Sequence, residues 1–132
     1  MPVTAHATGT FEVKLTPQAG DDPALGRMTI EKQIHGGIEG ASSGQMLTAG
    51  TAVKGSAGYV AIEKVSGAVN GHKGSFILQH TATMNRGVPS LSITVVPDSG
   101  TEQLAGITGR MYIDISGGKH SYDFEYTLPG AQ

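Results

Sequence analysis

The sequence predicts an all-β fold, a single closed eight-stranded antiparallel meander barrel occupying residues 1–132. Three observations carry this. Apolar residues recur at every second position in short segments, as in a half-buried strand. Gly makes up 20 of the 132 residues, and these segments lie beside Gly, Pro, Asn or Asp clusters such as 17–23 and 96–100. No window repeats apolar residues at three- and four-residue spacing over three turns, so helix is nearly excluded.

The elements follow in order. Phe11, Val13 and Leu15 alternate with Thr10, Glu12 and Lys14. Met28, Ile30 and Ile34 share one face, with Arg27, Thr29, Glu31 and Gln33 on the other. A weaker third segment carries Met46 and Leu47. The fourth runs from Tyr59 to Val65 and the fifth from Ser75 to His80. Leu91, Ile93 and Val95 mark a sixth, Met111, Ile113 and Ile115 a seventh, and Tyr122, Phe124 and Tyr126 an eighth. Residues 35–40, 65–71 and 104–109 share an apolar–Gly–apolar–Gly form, which suggests one hairpin geometry used repeatedly. Eight strands with one apolar face each do best by closing, because closure removes exposed edges. Leu128 to Gln132 read as a short frayed tail.

Composition narrows the function classes. A chain of 132 residues buries roughly two-thirds of its unfolded surface. The absence of Cys excludes a disulfide scaffold, a thiolate zinc site and cysteine nucleophiles. Nine basic against eleven acidic residues point to neither nucleic acid nor an anionic membrane as partner. With no basic-then-apolar N-terminus and no apolar run near the ~18 residues of a span, the expectation is a soluble cytoplasmic protein.

Four segments carry a family resemblance: Ala24 to Gln33, Ala49 to Glu63, Gly74 to His80 and Lys119 to Tyr126. Together they resemble a family of small bacterial proteins of unknown function whose fold is similar to the allene oxide cyclase barrel. The resemblance implies a closed eight-stranded meander barrel and no particular reaction. The plant cyclases of the wider superfamily turn an unstable epoxide into a cyclopentenone inside an apolar barrel. No pocket residue of theirs is carried onto this sequence, so a cyclase reading rests on fold analogy.

Ligand chemistry in a barrel sits on inward faces. Phe76, Leu78 and His80 share one face. Tyr59, Ala61, Glu63 and Val65 share another, opposite Val60, Ile62 and Lys64. An unpaired lysine is the costlier group to bury, so Lys64 faces out and Glu63 in. On neighbouring strands, Glu63 and His80 form a candidate acid–base pair in an apolar cavity, where desolvation and mutual charge decide which is the base. The bland alternative is a hydrogen-bonded pair that fills the barrel.

Tyr59, Glu31, Phe76, Leu78, Tyr122 and Tyr126 are the candidate ligand contacts. For Glu31 the competing reading is a solvated outer face, and for the aromatic stripe of Tyr122 and Tyr126 a core-facing strand. The histidines His6, His35, His72, His80 and His120 show no paired metal spacing, so neither a metal nor a cofactor is expected. Residues 50–58 lack the order of a phosphate loop and lead into a strand.

The resulting expectation is a barrel that holds a small apolar or amphipathic molecule, as a carrier or as a site of isomerisation or cyclisation. The alternative is a filled barrel acting as an oligomeric or partner scaffold. Apolar residues on outer faces, such as Val60, Ile62 and Ile77, favour a homo-oligomer in either case.

Overall fold

A computed structural model of the chain describes residues 4–20 and 22–129. The N-terminal reading over residues 1–3 and the tail reading over residues 130–132 lie outside the described residues. Eight strands, β1 (Ala5–Gln18), β2 (Leu25–Gly36), β3 (Ile38–Gly50), β4 (Ala57–Val69), β5 (His72–Asn85), β6 (Val88–Val95), β7 (Thr108–Ser116) and β8 (Lys119–Thr127), form one closed barrel in chain order. Every pairing is antiparallel, and β1 on β8 closes the ring. The chain's only helical turn among the described residues is a 3-10 turn at Glu102–Leu104. Among the described residues, no helix is long and apolar enough to cross a membrane.

The third segment is the largest difference from expectation. Thirteen residues form β3, where alternation marks only Met46 and Leu47. Its first half, with Gly40, Ala41, Ser42, Ser43 and Gly44, carries little hydrophobic contrast, so the periodicity is invisible there. The glycine echo does not encode a common hairpin. Three two-residue turns, Asn70–Gly71, Arg86–Gly87 and Gly117–Gly118, have both residues at positive φ, which matches the right-handed twist of the flanking strands. Only the first of these falls in an echo segment; residues 104–109 instead lead out of the 3-10 turn.

The barrel has two unlike ends. At one, Ile38, Val69, Phe76, Leu104, Ile107 and Phe124 are each at most 1% exposed, and Phe76 stacks on Phe124 with ring centroids 5.4 Å apart. Leu128 packs into this core rather than fraying, because its apolar side chain completes the plug. The β6–β7 seam is short, a single register pair at Thr94 and Arg110. The linker after β6 covers what the seam leaves open: Thr101 N–H donates to the Ser75 carbonyl (2.9 Å), and Ser75 N–H to Thr101 Oγ1 (3.0 Å). The same linker half-covers Ile77, whose N–H donates to Ser99 Oγ. Of the three residues expected on the outer wall, Val60 and Ile62 are half-exposed and Ile77 is not.

The other end, where β1–β2, β3–β4, β5–β6 and β7–β8 turn, is open. Its lining residues Leu15, Leu91 and Ile115 remain exposed.

Candidate functional site

Between the plugged end and the mouth lies a layer of polar side chains. Its centre is Glu63 on β4, fully buried. Glu63 pairs in register with Leu78 on β5, which puts His80, two residues along, on the adjacent diagonal. His80 Nε2 is 2.6 Å from Glu63 Oε1. On the other side, Glu63 pairs with Gly44 on β3. A Cβ at Gly44 would run into the Ile62 carbonyl and the Glu63 backbone, so this position stays bare. Ser42, two residues along β3, donates to Glu63 Oε2 (2.5 Å), and across the gap reaches Lys32 on β2, whose Nζ is 3.1 Å from each carboxylate oxygen.

Lys32 is the residue that sequence reasoning missed. It stands between Ile30 and Ile34 in the inward period, and its burial is tolerated because two partners compensate the charge. One is Glu63; the other is the ring of Phe11, 4.7 Å below Nζ. The signal was present as a gap in the Met28–Ile30–Ile34 series. Ser42 had no such signal, since nothing marked the first half of β3.

Burial pushes the Glu63 carboxyl upward, but the His80 hydrogen bond, the Lys32 charge, the Ser42 hydroxyl and the charge of a protonated His80 ring together outweigh it and hold it at about 2. Glu63 is therefore ionised and accepts from His80, so Nε2 carries a hydrogen. In neutral His80 the free acceptor is then Nδ1. Nδ1 forms no hydrogen bond among the described residues, and no buried side-chain polar atom among them lacks a partner. It follows that Nδ1 meets accessible space, and the space His80 borders is the lumen.

That space comprises two cavities. The inner one, about 190 Å³, is bordered by Lys32, His80, His120 and Tyr59 among apolar side chains that include Val13, Met46 and Ile113. The outer one at the mouth, about 620 Å³, shares Tyr59, Leu91 and Ile115 with it and extends to Met28, Met84 and Pro89. Burial and the Glu63 charge both raise the Tyr59 phenol above its ordinary value, so it remains a neutral O–H donor. Its hydroxyl forms no hydrogen bond among the described residues. Among those residues, no three His, Asp or Glu side chains cluster as a metal site would require.

The family model described as "protein of unknown function (DUF3224)" matches residues 7–126. The chain belongs to the DUF3224 family. A crystal structure of a DUF3224 protein of unknown function from Shewanella oneidensis MR-1 is similar to it, with 46% sequence identity and a TM-score of 0.91. That match covers 98% of this chain and 100% of the other. No curated protein matches.

Within this DUF3224 barrel the sequence candidates separate into two groups. His80 and Tyr59 border the inner cavity, with Glu63 directly behind His80. The other five do not reach the lumen cavities. Glu31 lies on the exposed outer face, opposite Lys14 and Ser43, because the two-residue period that turns Lys32 inward turns Glu31 out. Phe76 and Leu78 are 1% exposed in the plug. The Tyr122 hydroxyl donates to the His35 carbonyl (2.8 Å) and accepts from Ile38 N–H (2.9 Å), bracing the β2–β3 turn. The Tyr126 hydroxyl accepts from Asn70 Nδ2 (2.7 Å) at the neighbouring turn.

Proposed function

We propose that this protein binds a small amphipathic molecule in the open half of its barrel, with the apolar body at the mouth and the polar head against His80 and Tyr59. The observation that carries the reading is an imidazole nitrogen facing an apolar lumen while its partner nitrogen is fixed by a buried, ionised carboxylate. Such a dyad exchanges a proton with whatever group sits against Nδ1, which is what an isomerisation or cyclisation of the bound molecule needs. Glu63 here acts as a positioning residue, and His80 makes the contact. The barrel fold shared in resemblance with the allene oxide cyclases supports the same reading at the level of architecture.

The scaffold alternative draws support from the plugged half alone, since a cavity of about 620 Å³ lies within the usual range of ligand sites. A homo-oligomer accords with either reading. Leu47 and Val60 are register partners on the outer wall, 55% and 49% exposed, with Ile62 two residues beyond. Sedimentation showing only monomer at high concentration would remove the oligomer without touching the lumen.

The test of the lumen is a plug. Titration with 1-anilinonaphthalene-8-sulfonate, an amphipathic fluorophore, is expected to give saturable enhancement in the native protein. Met46→Trp, which fills the inner cavity, is expected to abolish it while preserving the far-ultraviolet spectrum. Equal enhancement in both proteins would place the probe away from the inner cavity and overturn the seating of the polar head against His80 and Tyr59.

A further inference from the structure

We infer that the molecule held in the lumen is an amphipathic monocarboxylic acid, bound together with one proton shared between its carboxyl group and His80 Nδ1. This rests on the lumen reading above and gives it a substrate class.

The first support is the sign of the lining. Neither cavity is bordered by an Asp or Glu side chain, whereas Lys32, His80 and His120 all border the inner one. Glu63 lies behind His80 and Lys32, with its oxygens engaged by those two residues and Ser42. A ligand ammonium would meet Lys32 with no carboxylate within reach. Cationic heads are disfavoured on charge alone.

The second support is charge balance in a buried layer. When the His80 ring holds only its Nε2 proton, the layer carries the Lys32 cation and the Glu63 anion. Adding a bare carboxylate leaves one uncompensated negative charge away from water and sets two acceptors, the carboxylate and Nδ1, against each other. One proton resolves both faults. It gives a hydrogen bond between the carboxyl oxygen and Nδ1, and charges that sum to zero whichever atom holds it. The titratable groups facing His80 and the lumen are Glu63 and Tyr59 from β4, Lys32 from β2 and His120 from β8. Of these, Glu63 already receives Nε2–H and Lys32 and Tyr59 are donors, so His120 is the one other acceptor on the lumen, and the His80→Gln arm below separates it from His80. Tyr59 is placed to donate to the other carboxyl oxygen.

The third support is length. From His80 to Met84 at the rim is four residues of β5, a depth of about 10 Å once strand tilt is allowed for. Over that depth the lining is apolar apart from Tyr59, Thr48, Thr83 and Ser90. An extended aliphatic or cyclic body fits such a funnel, and a second charged group along it does not.

The experiment compares octanoate, 1-octanol and octylamine by isothermal titration calorimetry, each at several pH values and in two buffers of different ionisation enthalpy. Octanoate is expected to take up one proton, so that its affinity falls about tenfold per pH unit on the alkaline limb. Octanol is expected to bind with no pH dependence, and octylamine not to bind. His80→Gln is expected to flatten the octanoate profile while keeping octanol binding. Tyr59→Phe, which leaves the buried layer intact, is expected to weaken octanoate about tenfold. Binding of octanol and octanoate with the same flat pH profile would overturn the carboxylic-acid inference while the lumen reading stands. Failure of all three to bind the native protein would overturn both. Proton uptake that persists in His80→Gln would assign the proton elsewhere and also overturn the inference.

Discussion

The two halves of this barrel are built from the same strands and do opposite things. At the plugged end, side chains from the strands, the 3-10 turn and Leu128 converge until Ile38, Phe124 and Leu104 retain no measurable exposure. At the mouth the same inward positions carry Leu15, Leu91 and Ile115, which remain 44%, 44% and 64% exposed. The polar layer of Lys32, Ser42, Glu63 and His80 divides them. The difference separates the half in which the core is packed from the half that is left open. Closure of the sheet is common to both, and only the filling differs.

Truncation on either side breaks the comparison most sharply. Phe124→Ala opens a cavity under the stacked Phe76 ring and is expected to lose about 3–5 kcal/mol of stability. Ile115→Ala at the mouth is expected to change stability by less than about 0.5 kcal/mol while weakening fluorophore binding. Denaturant unfolding of both variants checks the pair; equal losses would erase the distinction between the halves.

The dividing layer comes next. Lys32→Met leaves Glu63 buried with less compensation, and a loss of about 3 kcal/mol is expected. Combining it with Glu63→Gln is expected to recover part of that loss, because both charges then leave together. A double variant whose loss equals the sum of the singles would show the two residues uncoupled.

A similar energy appears as acid sensitivity. The Glu63 carboxyl moves down from 4.5 to about 2, so the folded protein holds its proton less tightly than the unfolded chain does. Stability from this group is fully present above about pH 4.5 and is lost as pH falls towards 2. The amount is about 3 kcal/mol, from roughly two and a half pH units. Stability measured against pH in native protein and Glu63→Gln checks it. The variant is expected to lack that part of the acid slope, and an unchanged slope would contradict the assignment.

Much of the architecture was legible because period-2 alternation and turn residues are local signals. The burial of Glu63 and His80 was legible for the same reason, since each shares a face with apolar neighbours. What stayed hidden was non-local. Lys32 faces inward only because Glu63 waits two strands away, and the route between them exists only because Gly44 is bare. Ser42 and Gly44 lie in a stretch with no hydrophobic contrast, where alternation has nothing to alternate. Alternation puts Tyr122 and Tyr126 on an inward face, where they are buried, but their hydroxyls are taken by turns distant in the chain. Glu31 and Lys32 are adjacent, and the period that turns Lys32 inward turns Glu31 out.

The most direct measurement of the proton geometry is the nitrogen-15 and proton correlation spectrum of the His80 ring, recorded at a pH where the imidazole is neutral. The proposed geometry predicts the tautomer protonated at Nε2, with an unprotonated Nδ1 resonance that moves when octanoate is added and stays put when Met46→Trp blocks the lumen. A ring protonated at Nδ1, or an Nδ1 signal indifferent to octanoate in the native protein, would contradict it.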